Sequence, residues 1–81
     1  MIVVIDDKAF KDLSKLDKKE ASRLFEKIEA LQDFPDIANI KRLTNHIPRY
    51  RYRVGNYRIL FDIEGDTLKV YRVLHRKDSY K

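Results

Sequence analysis

The sequence predicts an α+β fold in the order β-α-α-β-β-β, with a helical hairpin packed on one face of a small, mostly antiparallel sheet. Three observations predict it. Apolar residues recur at helical spacing through the first part of the chain, then switch to strict alternation from residue 49 onward. Two turn-type stretches, Gly55-Asn56 and Glu64-Gly65-Asp66, divide the alternating part into three strand-length runs.

Each element follows from local chemistry. Ile2-Val3-Val4-Ile5 is a β-branched run bounded by Asp6-Asp7, and reads as a strand. Asp6 or Asp7 can cap a helix over residues 8 to 15, which places Ala9, Phe10, Leu13 and Leu16 on one stripe. Asp17 followed by Glu20 has the form of a capping box and starts a second helix. There Ala21, Leu24, Phe25, Ile28 and Leu31 make the buried stripe, and the Lys/Glu-rich face is solvated. The hairpin turns at Leu16-Asp17, and Phe34-Pro35 ends the helical part because a residue before proline avoids helical geometry.

Residues 35 to 48 are the least regular, with a single helical turn expected around residues 36 to 40. Residues 49 to 54 then alternate, Gly55-Asn56 permits the positive φ angles of a tight hairpin, and residues 57 to 63 alternate again. Residues 67 to 74 form the last strand. Its apolar residues fall on both parities, Leu68, Val70 and Leu74 against Tyr71 and Val73, which points to a central position in the sheet.

A chain of 81 residues is read as one domain, residues 1 to 81. It has no cysteine, which excludes disulfides and thiolate metal sites and fits a reducing compartment. The first residues carry no basic n-region, and their apolar run is too short for a signal peptide or a membrane span. A soluble, cytoplasmic protein without a membrane partner is expected. Eighteen Lys plus Arg against thirteen Asp plus Glu give a net charge of +5 and a pI near 9.6. Such a balance suits a nucleic-acid binder, and equally a heavily charged surface without a ligand.

Distribution carries more than net charge. Alternate strand positions share a face, so Arg49, Arg51 and Arg53 lie on one side and Tyr50, Tyr52 and Val54 on the other. Tyr57, Ile59, Phe61 and Ile63 make an apolar face that belongs under the helices, and Arg58 is out of phase with them. If the register keeps apolar faces together, Arg51, Arg53 and Arg58 all stand on the uncovered face. Like charges across strands destabilise a sheet, and an anion between them would explain the arrangement. From the pattern alone, a solvated arginine ladder fits as well. Arg76 and Tyr80, with His75 beside them, follow the last strand and can fold over the same face. Arginine forks grip phosphate, and tyrosine offers a stacking ring and a hydroxyl.

Other chemistries lack their residues. There is no Gly-rich phosphate loop, since Gly55 and Gly65 are the only glycines. His46 and His75, the only histidines, have no metal-ligand spacing, so no metal or cofactor is expected. Ser14 and Ser79 lack a His–acid pair for a hydrolase triad.

The run IKRLTNHIPRYRYRVGNYRILFDIEGDTLKVYRVLHRKDSY resembles the RelE/ParE superfamily of bacterial type II toxin–antitoxin toxins, and the HRKDSY tail resembles the RelE-like branch. That resemblance implies an mRNA interferase, a ribosome-dependent endoribonuclease that cuts messenger RNA in the ribosomal A site through attack of a ribose 2′-hydroxyl on the neighbouring phosphate. Arg51 and Arg53 match the family's basic strand. Arg58 matches the arginine after the turn tyrosine, a candidate for transition-state stabilisation. Arg76 matches the arginine after the last strand, and Tyr80 the tail tyrosine that stacks on or orients a base. Lys41 and Arg42 match a basic pair implied to touch ribosomal RNA, and Arg49 and Lys77 extend that RNA-binding set. Implied partners are a cognate antitoxin, the ribosome and mRNA, with a toxin–antitoxin heterotetramer as the assembly.

One departure bears on mechanism. RelE-like proteins often carry lysines where Arg51 and Arg53 stand, and arginine is a poor proton shuttle. His75, water or ribosomal groups are then left as acid or base. Two alternatives stay open: a ParE-like inhibitor of DNA gyrase with the same fold, and a non-catalytic basic nucleic-acid-binding domain.

Overall fold

The structure, a computed structural model, describes residues 1 to 77. Strand β1 (Ile2–Ile5) leads into helices α1 (Asp7–Ser14) and α2 (Lys18–Glu29), and a 3₁₀ turn (Ala30–Asp33) closes the helical part. Four strands follow: β2 (Ile40–Arg42), β3 (Tyr50–Val54), β4 (Tyr57–Glu64) and β5 (Thr67–His75). They form one five-stranded sheet in the order β1-β5-β4-β3-β2. Only β1 and β5 run parallel; the other neighbours are antiparallel.

The helices start where the sequence places caps. The Asp6 carboxylate accepts the Lys8 N–H at 3.0 Å, and that of Asp17 accepts the Glu20 N–H at 2.8 Å. Leu13, Leu24, Ile28 and Leu31 from the helical layer meet Ile59, Phe61, Leu68 and Val70 from the sheet, and all eight are fully buried. Each contributes roughly 1.5–3 kcal/mol through its burial. Phe61 anchors the middle, stacked on Tyr50 at 5.3 Å and edge-on to Phe34 at 5.9 Å. The helices cover this face, and no helix among the described residues covers the opposite one.

Two features differ from the sequence expectation. Where a helical turn was expected near residue 40, Ile40, Lys41 and Arg42 pair with Tyr52, Arg51 and Tyr50 as an edge strand. Asn39, at φ 69°, turns the chain, and its carbonyl accepts the Arg53 N–H at 3.0 Å. A three-residue strand has too little periodicity to announce itself; its partner strand makes it.

The second difference lies in β5. This strand is interior, between β1 and β4, as its composition suggested. Its apolar residues on both parities have another cause, however. Leu60 faces Arg72 while the next residue, Phe61, faces Val70, so β5 spends one extra residue, Tyr71, in a bulge. Before it, Leu68 and Val70 face the helices; after it, Val73 and His75 do. The bulge reverses the parity of the strand.

β1 ends at Ile5, opposite Val70, and leaves the second half of β5 without a strand neighbour on that side. Asp12 of α1 takes that place. Its Oδ2 accepts the Val73 N–H at 2.9 Å and the Arg72 Nε–H at 2.8 Å, while its Oδ1 accepts from Arg72 Nη2 at 3.0 Å. A carboxylate thus completes the edge of the ladder.

Candidate anion-binding site

The β3–β4 register sets Arg53 directly opposite Arg58, and Arg51 opposite Leu60, all on the face away from the helices. Lys41 pairs with Arg51 from β2 and extends the cationic row to the sheet edge. At the hairpin end, Gly55 at φ 57° makes the turn. The chain leaving β5 is tied to that turn, because the Arg76 N–H donates to the Asn56 carbonyl at 2.6 Å. These elements enclose a recess of about 160 Å³ lined by Arg53, Gly55, Asn56, Tyr57, Arg58 and Arg76. Arg58 is half-buried, with its Nε shielded from solvent; Arg53 and Arg76 are exposed at the rim.

Three guanidiniums around a space of this size provide a bidentate donor set for a phosphate or similar oxyanion. The other lining side chains are neutral donors. Burial, reinforced by the Glu20 and Asp17 carboxylates, pushes the Tyr57 phenol above its ordinary pKa, with Arg23 opposing. Tyr57 therefore stays protonated near neutrality and is not a base.

His75 is not brought into this recess. With β5 reversed by the bulge, its ring turns to the helix side, where it meets Tyr57 edge-on at 5.3 Å, and its Nδ1 accepts the Lys77 N–H at 3.2 Å. Without the bulge the parity would exchange His75 and Arg76 between the faces. Arg49 is held at the far end of the hairpin, where its Nε donates to Asp62 at 2.9 Å and its Nη2 to the Ile63 carbonyl at 3.3 Å. Burial raises the Asp62 pKa, but the Ile63 N–H and Arg49 outweigh it and hold the carboxyl below its ordinary value. Arg49 is thus largely neutralised. Arg42 sits over the Tyr50 ring at 6.0 Å, on the opposite face from Lys41. The Lys77 side chain is exposed, and Tyr80 lies outside the described residues.

Sequence reasoning missed several participants. Arg23 on α2 is paired with Glu20 at 3.1 Å and reaches the hairpin turn, 2.8 Å from where a Cβ on Gly55 would stand. Its i, i+3 spacing from Glu20 was visible, but its approach to the turn at Gly55, far along the chain, was not. Tyr57 and Asn56 had been assigned to packing and turning alone. Among the described residues, no three His, Asp or Glu side chains converge as a metal site. No helix among them is long and apolar enough to cross a membrane.

A half-covered sheet whose open face ends in an arginine-lined recess defines a small basic α+β domain with a candidate anion site. Comparison with known proteins gives the family. A model described as the ParE toxin of type II toxin-antitoxin system, parDE, matches residues 3–80. The chain belongs to that family, within the RelE/ParE superfamily of toxins, on the RelE-like side. Toxin RelE3 of Methanocaldococcus jannaschii is 50% identical over 42 residues, which cover 52% of this chain and 48% of that protein. The match spans about half the length of that relative. The RelB-RelE antitoxin-toxin complex from Methanococcus jannaschii matches at 31% identity and a TM-score of 0.75, covering 95% of this chain and 94% of the other. The toxin-antitoxin complex RelBE2 from Mycobacterium tuberculosis matches at 25% identity and a TM-score of 0.77, covering 93% and 96%. The isolated E. coli RelE toxin, at 19% identity and a TM-score of 0.71 over 91% and 82% of the two chains, shares the fold.

Proposed function

We propose that this protein is the toxin of a type II toxin–antitoxin pair and cleaves messenger RNA on the ribosome. The observation that carries the reading is the recess lined by Arg53, Arg58 and Arg76, with Arg51 and Lys41 continuing the cationic row beside it. The reaction that suits it is in-line transfer: a ribose 2′-oxygen bonds to the adjacent phosphorus, the bond to the 5′-oxygen breaks, and a 2′,3′-cyclic phosphate and a 5′-hydroxyl result. Negative charge grows on the non-bridging oxygens, and preorganised guanidiniums stabilise it. Arg58, the most enclosed of the three, has the central place; Arg53 and Arg76 close on the phosphate from either side. Arginine does not move protons at neutral pH. Proton transfer therefore falls to Tyr80, to water or to groups of the ribosome.

The partner belongs to the same proposal. Relatives crystallised as toxin-antitoxin complexes support a cognate antitoxin for this chain. An acidic or amphipathic segment along the open face would neutralise Lys41, Arg51 and Arg53. The decisive experiment is controlled expression followed by mapping of RNA 5′ ends. Codon-phased cleavage confined to translated messages, lost in Arg58→Gln and Arg76→Gln, is the expected result. The second reading, inhibition of DNA gyrase, draws on the ParE description of the family model. Intact messenger RNA during growth arrest, together with blocked supercoiling in vitro, would replace the first reading with it.

A further inference from the structure

We infer that His75 is a positioning residue, which sets Arg76 in the recess rather than exchanging protons with substrate. Three constraints meet at the end of β5. The bulge at Tyr71 sends the Arg76 side chain to the open face and the His75 side chain to the helix side. The Arg76 N–H is fixed to the Asn56 carbonyl at 2.6 Å. One residue on, the Lys77 N–H is fixed to His75 Nδ1 at 3.2 Å, and the ring that accepts it is held edge-on against Tyr57 at 5.3 Å. The backbone on both sides of Arg76 is therefore pinned, at its own amide by the hairpin turn and at the next amide by the imidazole.

The same contacts argue against proton transfer by this ring. Its Nδ1 serves as acceptor to the backbone. The recess around the ring is a second one, of about 370 Å³, shared with Asp12, Lys15, Leu16, Tyr57, Arg72, Val73 and Leu74. Tyr57 lines both recesses, whereas His75 lines only this one. A general acid or base must come within hydrogen-bond reach of the reacting oxygen, and this ring does not line the recess where the phosphate would sit. What remains for it is geometry. A guanidinium displaced by about 1 Å costs on the order of 100-fold in rate.

The two roles separate cleanly by substitution. An asparagine carbonyl oxygen occupies nearly the place of imidazole Nδ1 and can accept the Lys77 N–H, but it cannot carry protons. A glutamine places its amide near Nε2 instead. The activity arm of the test rests on the RNA-cleaving reading; the other two arms do not. We expect His75→Asn to retain mRNA cleavage on ribosomes within about threefold, with an unchanged pH profile. His75→Gln and His75→Ala should lose about 10- to 100-fold, and His75→Ala should add little further loss on top of Arg76→Gln. In parallel, His75→Asn should leave the hydrogen-exchange rate of the Lys77 amide and the affinity for a non-cleavable 2′-O-methyl RNA as in the wild type, while His75→Ala speeds the exchange and weakens the affinity. The proposal is overturned if His75→Asn cleaves as slowly as His75→Ala yet binds the 2′-O-methyl RNA like the wild type, since that would mark a proton-transfer role. It is also overturned if His75→Ala leaves Lys77 exchange, RNA affinity and cleavage all unchanged. If the wild-type protein leaves mRNA intact, the RNA-cleaving reading fails, and the exchange and affinity arms decide the positioning role by the same criteria.

Discussion

Replacing Asp12 with alanine tests how the end of β5 is held. The carboxylate accepts three hydrogen bonds, one from the Val73 backbone and two from the Arg72 guanidinium, and its own side chain is only 10% exposed. Truncation strands the Val73 N–H at a half-buried sheet edge, a loss of about 1–3 kcal/mol. The Arg72 side adds less, because that guanidinium is 43% exposed and a solvated ion pair contributes about 1 kcal/mol at most. The sum is about 1–4 kcal/mol, which for a domain of this size lowers the melting temperature by roughly 4–30 °C. Asp12→Asn keeps an acceptor for Val73 and should cost about 1 kcal/mol or less. Burial pushes the Asp12 carboxyl up, but the Arg72 and Val73 hydrogen bonds outweigh it and hold the pKa below its ordinary value of 3.8. The contribution is thus fully present above that value and is lost as pH falls through the lower, folded-state pKa. Thermal melts of the three proteins from neutral to strongly acid solution should show wild type and Asp12→Ala converging in acid. An Asp12→Ala protein that melts within about 3 °C of wild type at neutral pH, or a gap that widens in acid, would refute this account of the strand edge.

Three further substitutions probe the two hairpins. Arg53→Gln removes one of two directly opposed guanidiniums, so denaturant unfolding should show a gain of about 0.5 kcal/mol, while the salt slope of RNA binding falls by about one. Gly55→Ala and Gly65→Ala both force a side chain into positive φ, at 57° and 59°, and each should cost about 1–2 kcal/mol. The Gly55 Cβ would also displace the Arg23 guanidinium, the far end of a flexible chain, so Gly55→Ala should exceed Gly65→Ala by less than about 0.5 kcal/mol in the same melts; a much larger excess would mean that Arg23 is rigidly fixed over the turn.

The residues whose roles depend on near neighbours were legible in the sequence. Asp6 and Asp17 cap the helices, Leu13, Leu24 and Ile28 line their buried stripes, and Gly55 turns the hairpin. The face shared by Arg51, Arg53 and Arg58 was legible too, because a two-residue turn fixes the register of β3 against β4 and strand alternation does the rest. Arg49 was harder: it has the parity of the row but spends its charge on Asp62, thirteen positions away. Continuing the register that sets Tyr50 opposite Phe61 puts Arg49 opposite Asp62, so the same turn places the pair, and only the meeting of the two side chains needed the structure.

By itself, then, the sequence determined a helical hairpin over one face of an antiparallel sheet and a row of arginines on the other, since caps, turns and period are properties of short stretches. Tertiary structure alone decided β2, the Asp12 closure of the sheet edge, and the choice of Arg76 over His75 for the recess. Only the second joins residues far apart in the chain, Asp12 and Val73; the other two rest on how neighbouring strands pair, which no local pattern specifies. The last shows the reason most plainly. A one-residue bulge at Tyr71 reverses every later side chain of β5, and that extra residue is defined only by where β4 pairs against it.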